Sequence, residues 1–419
     1  MNILNCMEIY NQPLINLGTL GSVSDGKSTL IEKLTGIKTQ RHSSEKKRNI
    51  TIKSGYANLK IWECLECDNL ASSSSLYKNI ECKYCNSECQ LIHHLSFVDC
   101  PGHSELILTM MSSLSLMQGG IVIISAAEPI SKKPQLIQHL LAAKLAKIDK
   151  LIICFNKLDL ISKELAIQRK IELDNLLAKL DIKAYTIIPT AFNKKLGIKN
   201  LLEAIVTVFP PNNLDYNNNP FFRITRSFDI NKPGISWNNI KGGVIGGSLI
   251  NGELKIGDSI EIRPGILSKN KEGIYLNQPI ITKIISIETD NIELDHIKPG
   301  GLVAIRTDID PYYCKNDMLS GNIFGKVGML PNVYFNIELL YTKLDIFEEI
   351  EEILWDPLVN DIVFLQIGNV ACEAKLTEIK DNLLKFQLIK PSCIESNSKI
   401  LICRKNNDNL KIVGYGFFK

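Results

Sequence analysis

Three short motifs, in a fixed order, hold the residues of this sequence that could do chemistry. The first is a glycine-rich loop, Gly-x-x-x-x-Gly-Lys-Ser, over residues 21–28. The backbone N–H groups of such a loop converge on phosphate oxygens, and the helix that follows adds partial positive charge. The second motif, Asp-Cys-Pro-Gly at 99–102, suits a metal ion and a terminal phosphate, and the third, Asn-Lys-Leu-Asp at 156–159, suits guanine. Together they predict a switch that binds GTP and GDP.

The glycine-rich loop supplies most of the predicted phosphate contacts. Its two glycines permit backbone angles and close approach that a Cβ would block. Lys27 is expected to reach the β- and γ-phosphates, and the N–H of Gly102 to meet the γ-phosphate. The predicted phosphate-binding residues are Gly21, Ser24, Asp25, Gly26, Lys27, Ser28, Thr29 and Gly102, and the predicted Mg²⁺-binding residues are Ser28, Thr51 and Asp99.

The third motif predicts selectivity for guanine. The carboxylate of Asp159 can accept hydrogen bonds from the N1–H and N2–H₂ groups of guanine, whereas adenine would leave the carboxylate unpaired. Asn156 is expected to tie this loop to the phosphate loop, and the aliphatic stem of Lys157 to lie on the base. Thr190 and Ala191 follow a later apolar run, where a backbone N–H could reach guanine O6.

A cluster of cysteines predicts a structural metal site. Five of the twelve cysteines lie between residues 64 and 89, and the others are scattered. Two Cys-x₂-Cys pairs, fourteen residues apart, can place four thiolates tetrahedrally around Zn²⁺ and leave no open position for catalysis. The predicted ligands are Cys64, Cys67, Cys82 and Cys85, with Cys89, His93 and His94 as bystanders. The alternative is a set of reduced thiols without metal.

The composition of the chain limits its number of domains and the kinds of partner it can bind. At 419 residues, of which 45% are hydrophobic, the chain is long enough for two or three domains. Its net charge is only +3, so any contact with nucleic acid must come from a local patch. No apolar run approaches the ~20 residues that span a bilayer, and no secretory signal is visible, so we expect no membrane association and a cytoplasmic protein.

The periodicity of apolar residues changes near residue 210. Before it, short apolar runs alternate with helical patterns, which predicts an α/β domain with a mostly parallel sheet and helices on both faces. After a Pro/Asn-rich linker, short strand-like runs predict β-barrels, and Asn251-Gly252 predicts a tight hairpin. We assign residues 1–212 to a GTP-binding domain with a cysteine-rich insertion at 62–90, residues 220–328 to one barrel and residues 329–419 to a second.

Several longer segments resemble one family of translational GTPases. They are residues 12–21, residues 97–103, the paired cysteines and residues 226–234 with 241–248. They are similar to the gamma subunit of eukaryotic and archaeal translation initiation factor 2, a relative of elongation factor Tu. The resemblance implies a GTPase domain followed by two β-barrels.

The resemblance also implies a function and partners. A member of this family forms a heterotrimer with alpha and beta subunits, carries initiator methionyl-tRNA to the small ribosomal subunit in its GTP state, and meets GTPase-activating and nucleotide-exchange factors. In the wider family, a histidine at the position of His103 orients the attacking water. Hydrolysis without an activator is then expected to be slow, on the order of 10⁻⁴–10⁻² s⁻¹.

Three residues depart from the family pattern. Ser22 and Asp25 stand where the family usually carries histidines, and Asn49 stands where it prefers glycine. We expect the Asp25 carboxylate to point to solvent or to a basic residue of a switch loop, and to weaken nucleotide binding modestly. These departures leave room for one alternative, a scaffold that binds GTP without hydrolysing it. A second alternative with the same fold is an elongator-type factor, such as a selenocysteine-specific one, although the cysteine insertion and the segment at residues 232–234 argue against it.

Overall fold

The computed structural model describes residues 9–39, 54–103, 106–210, 218–344, 355–406 and 409–419. The chain divides into two units, Met1–Asn213 and Leu214–Lys419. The strands of the first unit are β1 (Ile15–Leu20), β2 (Gly55–Cys64), β3 (Leu70–Ser74), β4 (Cys89–Asp99), β5 (Gly119–Ser125), β6 (Leu151–Asn156) and β7 (Thr186–Pro189). Its helices are α1 (Lys27–Thr35), α2 (Ile107–Leu114), α3 (Pro134–Leu145), α4 (Lys163–Lys179) and α5 (Ile198–Val208).

The seven strands form one mixed sheet in the order β3-β2-β4-β1-β5-β6-β7. Strands β4, β1, β5, β6 and β7 run parallel, and β2 and β3 are antiparallel to their neighbours. Every residue of β1, β5 and β6 is buried, as expected for strands in a sheet that is covered on both faces. The carboxyl ends of β1, β4 and β6 lie at one edge of the sheet, and each carries one of the three motifs.

Two helices of this unit have recognisable end signals in the sequence. Helix α1 follows the glycine-rich loop directly and ends at Gly36, whose φ of 73° suits a left-handed cap. Helix α4 begins after Ser162, whose side chain accepts a hydrogen bond from the backbone N–H of Leu165. The apolar face of α1 packs with α5 against the sheet, through residues such as Leu30 and Ile205.

The second unit contains two closed barrels. Its strands are β8 (Phe221–Phe228), β9 (Val244–Asn251), β10 (Leu254–Lys255), β11 (Ser259–Lys269), β12 (Tyr275–Thr289), β13 (Ile292–Leu294), β14 (His296–Ile297), β15 (Val303–Thr307), β16 (Ile323–Lys326), β17 (Val333–Lys343), β18 (Ile362–Ile367), β19 (Val370–Lys380), β20 (Leu383–Cys393), β21 (Lys399–Asn406) and β22 (Asn409–Phe418).

Each barrel has six antiparallel strands. The first closes in the order β11-β16-β8-β9-β15-β12, because β12 pairs again with β11, and the second in the order β17-β20-β19-β18-β21-β22, because β22 pairs with β17. Each has its own buried core, centred on residues such as Phe222 and Phe324 in the first and Phe386 in the second. The predicted fold class, an α/β GTPase domain followed by two β-barrels, is confirmed. The three domain boundaries given above remain predictions.

The predicted hairpin at Asn251-Gly252 is wrong. Strand β9 pairs with β8 and β15, whereas the short β10 pairs with β14. A Cβ at Gly252 would lie 2.6 Å from the backbone of Pro220. Glycine is therefore required here because two chain segments approach each other closely. In the part of the chain that the structure describes, none of the helices has the length and apolar character needed to cross a bilayer.

Candidate nucleotide-binding site

The glycine-rich loop joins the buried end of β1 to the first turn of α1. Gly21 and Gly26 have φ angles of 137° and 110°, which L side chains rarely adopt. A Cβ at Gly21 would lie 2.2 Å from the carbonyl oxygen of Ile123, and one at Gly26 would lie 2.6 Å from Nδ2 of Asn156. Both glycines are therefore required by backbone angle and by space.

Lys27 lies inside the loop with only 7% of its surface exposed. Its Nζ donates hydrogen bonds to the carbonyl oxygens of Gly21 (2.9 Å) and Ser22 (2.7 Å). Burial lowers the pKa of Lys27, and the nearby carboxylates of Asp99 and Asp25 oppose that shift. A Cβ on Gly102 would lie 2.4 Å from this Nζ, so the structure brings the first and second motifs into contact.

The second motif places a buried carboxylate beside three hydroxyl groups. Asp99 is fully buried; its Oδ1 accepts a hydrogen bond from Thr19 (2.9 Å), and its Oδ2 accepts bonds from Ser28 (2.8 Å) and Thr39 (2.5 Å). Carboxylate and hydroxyl oxygens are ligands that Mg²⁺ prefers, so this cluster fits such an ion. Thr19 and Thr39 were not predicted from the sequence. Thr51, the other predicted Mg²⁺-binding residue, lies outside the described residues.

Asn156 connects the third motif to the phosphate loop. Its Nδ2 donates to the carbonyl oxygen of Asp25 (2.9 Å), and its Oδ1 accepts from the hydroxyl of Thr190 (3.4 Å) and the N–H of Phe192 (3.3 Å). Asp159 is 3.8 Å from the ammonium of Lys194. Asn156 is 3% exposed, so it is a fixed link between two loops of the site.

The structure differs from the prediction at Thr190 and Ala191. The N–H of Thr190 donates to the carbonyl oxygen of Phe155 (2.8 Å), and that of Ala191 donates to Leu196 (3.2 Å). Both N–H groups are therefore used inside the protein: that of Thr190 continues the pairing of β7 with β6, and that of Ala191 closes the turn after β7. Phe192 and Asn193, which the sequence analysis did not select, line the cavity instead.

All three motifs line one cavity of about 380 Å³. His103 lies on its wall next to Gly102, while Gly21, Asp25 and Asp99 lie behind it. The size suits a nucleotide-sized ligand, since ligand cavities commonly measure about 300–1,000 Å³. The predicted residues on the wall are Ser24, Gly26, Lys27, Ser28, Thr29, Gly102, His103, Asn156, Lys157 and Asp159.

The expected orientation of Asp25 is wrong. Its side chain is 1% exposed and forms an ion pair with Lys133, a residue 108 positions away that immediately precedes α3. Oδ2 of Asp25 also accepts the N–H of Ser22 (2.8 Å), and Oδ1 accepts the N–H of Ser125 (3.1 Å). An unpaired carboxylate about 6 Å from a phosphate would cost about 3 kcal/mol per charge at an effective dielectric of about 20, and the ammonium offsets this.

Helix α3 makes a second contact with the loop, which the sequence analysis also missed. Nδ1 of His139 accepts the N–H of Gly21 at 3.1 Å. Burial lowers the pKa of His139 to about 3, and the ammonium of Lys27 adds to that shift. The ring is therefore neutral at physiological pH, which leaves Nδ1 available as an acceptor. No local sequence signal marks this histidine, because its partner lies 118 residues away.

The four predicted cysteines form a compact cluster at the far end of the β2–β4 pair. Their sulfur atoms all lie within 4.8 Å of one another, with Cys64 to Cys85 at 3.3 Å and Cys67 to Cys82 at 3.5 Å. The backbone N–H of Glu66 and of Tyr84 each donate to a sulfur at 3.5 Å, which stabilises negative charge there. Four sulfurs at this spacing fit tetrahedral Zn²⁺, for which a Zn–S length of about 2.3 Å is usual.

The neighbouring candidates stay outside the cluster. Cys89 is buried, and burial raises the pKa of its thiol. His93 hydrogen-bonds to the carbonyl oxygen of Phe209, and His94 hydrogen-bonds to that of Ile9 at 2.7 Å. None of the three belongs to the group of four sulfurs within 4.8 Å of one another, and their role as bystanders stays a prediction.

Two family models match the chain. The model described as "Elongation factor Tu GTP binding domain" matches residues 12–211, and "Initiation factor eIF2 gamma, C terminal" matches residues 332–418. The first spans the unit that contains the cavity, and the second spans the strands of the last barrel.

Curated proteins with similar sequences cover nearly the whole chain. The chain is 36% identical to eukaryotic translation initiation factor 2 subunit gamma of Encephalitozoon cuniculi, over 97% of this chain and 93% of that protein. It is 35% identical to subunit 3 of the Drosophila melanogaster factor, over 97% and 89%. It is also 35% identical to translation initiation factor 2 subunit gamma of Methanocaldococcus jannaschii, over 97% of each chain.

Solved structures of elongation factors share the fold. A bacterial selenocysteine-specific elongation factor superposes with a TM-score of 0.71 at 22% identity, over 97% of this chain and 58% of that longer one. The elongation factor SelB of Methanococcus maripaludis, solved with a GTP analogue, superposes with a TM-score of 0.70 at 19% identity, over 98% and 79%. At these identities the likeness concerns the fold alone.

Proposed function

The chain belongs to the gamma-subunit family of eukaryotic and archaeal translation initiation factor 2, and we propose that it carries initiator methionyl-tRNA to the small ribosomal subunit in a GTP-dependent manner. The observation that carries the proposal is the convergence of three motifs on one cavity within an elongation-factor-type GTP-binding domain. The proposed partners are the alpha and beta subunits, the tRNA, the small subunit, and GTPase-activating and nucleotide-exchange factors, all in the cytoplasm.

GTP hydrolysis is the proposed reaction. Lys27 and the N–H groups of the glycine-rich loop would bind the phosphates, and Gly102 would contact the γ-phosphate. His103, on the cavity wall beside Gly102, would orient the attacking water. Phosphoryl transfer depends mainly on positioning and electrostatic stabilisation, so turnover without an activator is expected to be slow.

Two metal ions belong to the proposal. Ser28 and Asp99, together with Thr51, would hold Mg²⁺, which neutralises charge that develops on the phosphates. Cys64, Cys67, Cys82 and Cys85 would hold a structural Zn²⁺ and join the two turns that carry them. The Mg²⁺ ion would take part in the reaction, whereas the Zn²⁺ ion would stabilise the conformation of the β2–β4 strand pair.

Filter binding with two tRNAs tests the proposed function. The purified chain, alone and with its alpha subunit, would be titrated with initiator and with elongator methionyl-tRNA, each in GTP and in GDP. We expect tight binding of the initiator tRNA in GTP only. Equal binding of both tRNAs would instead support an elongator-type factor. If neither tRNA binds while GTP does, a scaffold role is favoured, and multiple-turnover phosphate release would show whether that scaffold hydrolyses GTP.

A further inference from the structure

The phosphate loop contains a buried carboxylate, that of Asp25, close to the cavity in which negatively charged phosphates would bind. Asp25 immediately precedes Gly26, which lies on the wall of the nucleotide cavity. The carboxylate itself lies behind that wall, 1% exposed. An isolated charge is very costly to bury, and a second negative charge nearby raises that cost. Something in the fold must therefore compensate this charge before phosphates can bind.

The compensation comes from a lysine outside the three motifs. Lys133 has 2% of its side chain exposed, and its ammonium forms the ion pair with Asp25. The only other acidic group paired with it among the described residues is Glu128, at 3.7 Å, whose side chain is 66% exposed and so contributes little. Asp25 is thus the principal partner of Lys133.

The remaining contacts of Asp25 hold the loop in shape. Its two oxygens accept the N–H groups of Ser22 and Ser125, so the side chain spans from the loop to the end of β5. A carboxylate can accept from both backbone groups and from the ammonium together, because it has about four acceptor positions. The loop geometry and the charge balance therefore depend on the same side chain.

We propose that Lys133 is a positioning residue for nucleotide binding: its ammonium neutralises the buried Asp25 and keeps the loop receptive to phosphate. This inference rests on the proposed binding of GTP and GDP by the cavity. It assigns to the segment before α3 a role in ligand affinity, although Lys133 does not line the cavity. The effect is electrostatic, so it grows with the number of phosphate charges.

Nucleotide affinity of four proteins tests this inference. The wild type, Lys133→Met, Asp25→Asn and the double variant would be titrated with fluorescent GDP and GTP analogues, and their melting temperatures recorded without nucleotide. We expect Lys133→Met to weaken GTP binding at least tenfold, which is about 1.4 kcal/mol, and GDP binding less. Asp25→Asn removes the negative charge and leaves the ammonium, so it should tighten GTP binding about threefold. The double variant should recover most of the affinity that Lys133→Met loses.

A matched control is available on the same helix. Lys144, at the other end of α3, pairs with Asp181 at 3.1 Å, and Lys144→Met should leave nucleotide affinity unchanged. The inference is overturned if Lys133→Met is folded and binds GTP like the wild type. It is also overturned if Asp25→Asn weakens GTP binding as much as Lys133→Met, because the ion pair would then act only by holding the conformation of the loop.

Two further outcomes have a defined meaning. If Lys133→Met does not fold, the tighter GTP binding expected for Asp25→Asn and the nearly wild-type binding expected for the double variant still distinguish an electrostatic role from a purely structural one. Failure of the wild type itself to bind guanine nucleotides would contradict the proposed function rather than this inference.

Discussion

The phosphate loop and the four-cysteine cluster lie at opposite ends of β4 and are held in different ways. Around the loop, buried polar side chains bind partners about 60 to 130 residues away, as Thr39 does with Asp99 and Asn156 with Asp25. In the cluster, the sulfurs come from two short turns and bond to N–H groups two residues on. The sheet therefore positions the first site, whereas local turns and a metal would position the second.

This difference predicts which perturbations stay local. A substitution that removes a phosphate-loop contact should change nucleotide affinity, because such contacts join the motifs that meet at the edge of the sheet. Damage to the cysteine cluster should change metal content and thermal stability and leave nucleotide binding intact. Measurements of nucleotide affinity, metal content and stability test that separation.

The largest effect is expected for Lys27→Met. The ammonium would lose charge-assisted hydrogen bonds to phosphate, each worth about 1.5–3 kcal/mol, so GTP affinity should fall about a hundredfold or more. The nucleotide-free protein should keep its melting temperature within a few degrees, since burial already disfavours the charged lysine. Calorimetric titration with GTP measures the first quantity and a thermal melt the second. Retention of wild-type affinity would show that the loop does not bind the phosphates.

Loss of metal should follow Cys82→Ser. We expect about one Zn²⁺ per chain in the wild type by elemental analysis, none in the variant, and a melting temperature lower by about 5 °C or more. Cys89→Ser is the control, because Cys89 is buried beside the cluster but is not one of the four. A variant that keeps its zinc, or a wild type that never contains any, would contradict the assignment.

Acid should destabilise the first unit through two buried histidines, His139 beside the phosphate loop and His94 in β4. Burial lowers the pKa of both His139 and His94 to about 3, below the unfolded value of about 6.5. The unfolded chain therefore binds more protons between those values, and stability that is complete above pH 6.5 is lost as pH falls toward 3. At pH 5 each histidine should cost about 2 kcal/mol. Urea unfolding at pH 7 and pH 5 measures this, and His94→Gln should reduce the difference.

The smallest effect is expected for Thr39→Val. This variant removes one hydrogen bond to the buried Asp99 carboxylate, worth about 1 kcal/mol, and should raise the Mg²⁺ concentration needed for slow GDP release by about fivefold. Thr35→Val is the control, because the Thr35 hydroxyl donates to the carbonyl oxygen of Ile31 and accepts the N–H of Ile37, and no contact with Asp99 is among those described. An identical Mg²⁺ dependence in both variants would remove Thr39 from the metal site.

The sequence was sufficient for features that depend on local pattern. Glycine spacing, apolar runs and the two Cys-x₂-Cys pairs are readable within a short window, and the structure brings those residues together. The alternation of strands and helices, followed by strands alone, was likewise enough for the fold class. These signals are local because they come from backbone angles, side-chain periodicity and ligand spacing.

Contacts between residues that lie far apart in the sequence could not be predicted from such local patterns. Lys133 and His139 carry no motif, and their contacts with the phosphate loop appear only once α3 is packed beside β1. The turn at Gly252 resembles a hairpin signal, yet the glycine is required by its approach to Pro220. The N–H group of Thr190 bonds to Phe155 of β6 and that of Ala191 is used by the turn after β7, which sequence spacing does not show.

The central claim is that the three motifs form a guanine-selective site, and a competition assay with Asp159→Asn tests it most directly. Displacement of labelled GDP by GDP, ADP and the xanthine nucleotide XDP would be measured for the wild type and the variant. An amide at position 159 can donate to the C2 carbonyl of xanthine but cannot accept both N–H groups of guanine. We predict that the wild type prefers guanine by about a hundredfold or more and that the variant prefers xanthine. A wild type that binds ADP as tightly as GDP, or a variant that keeps its guanine preference, would contradict the account.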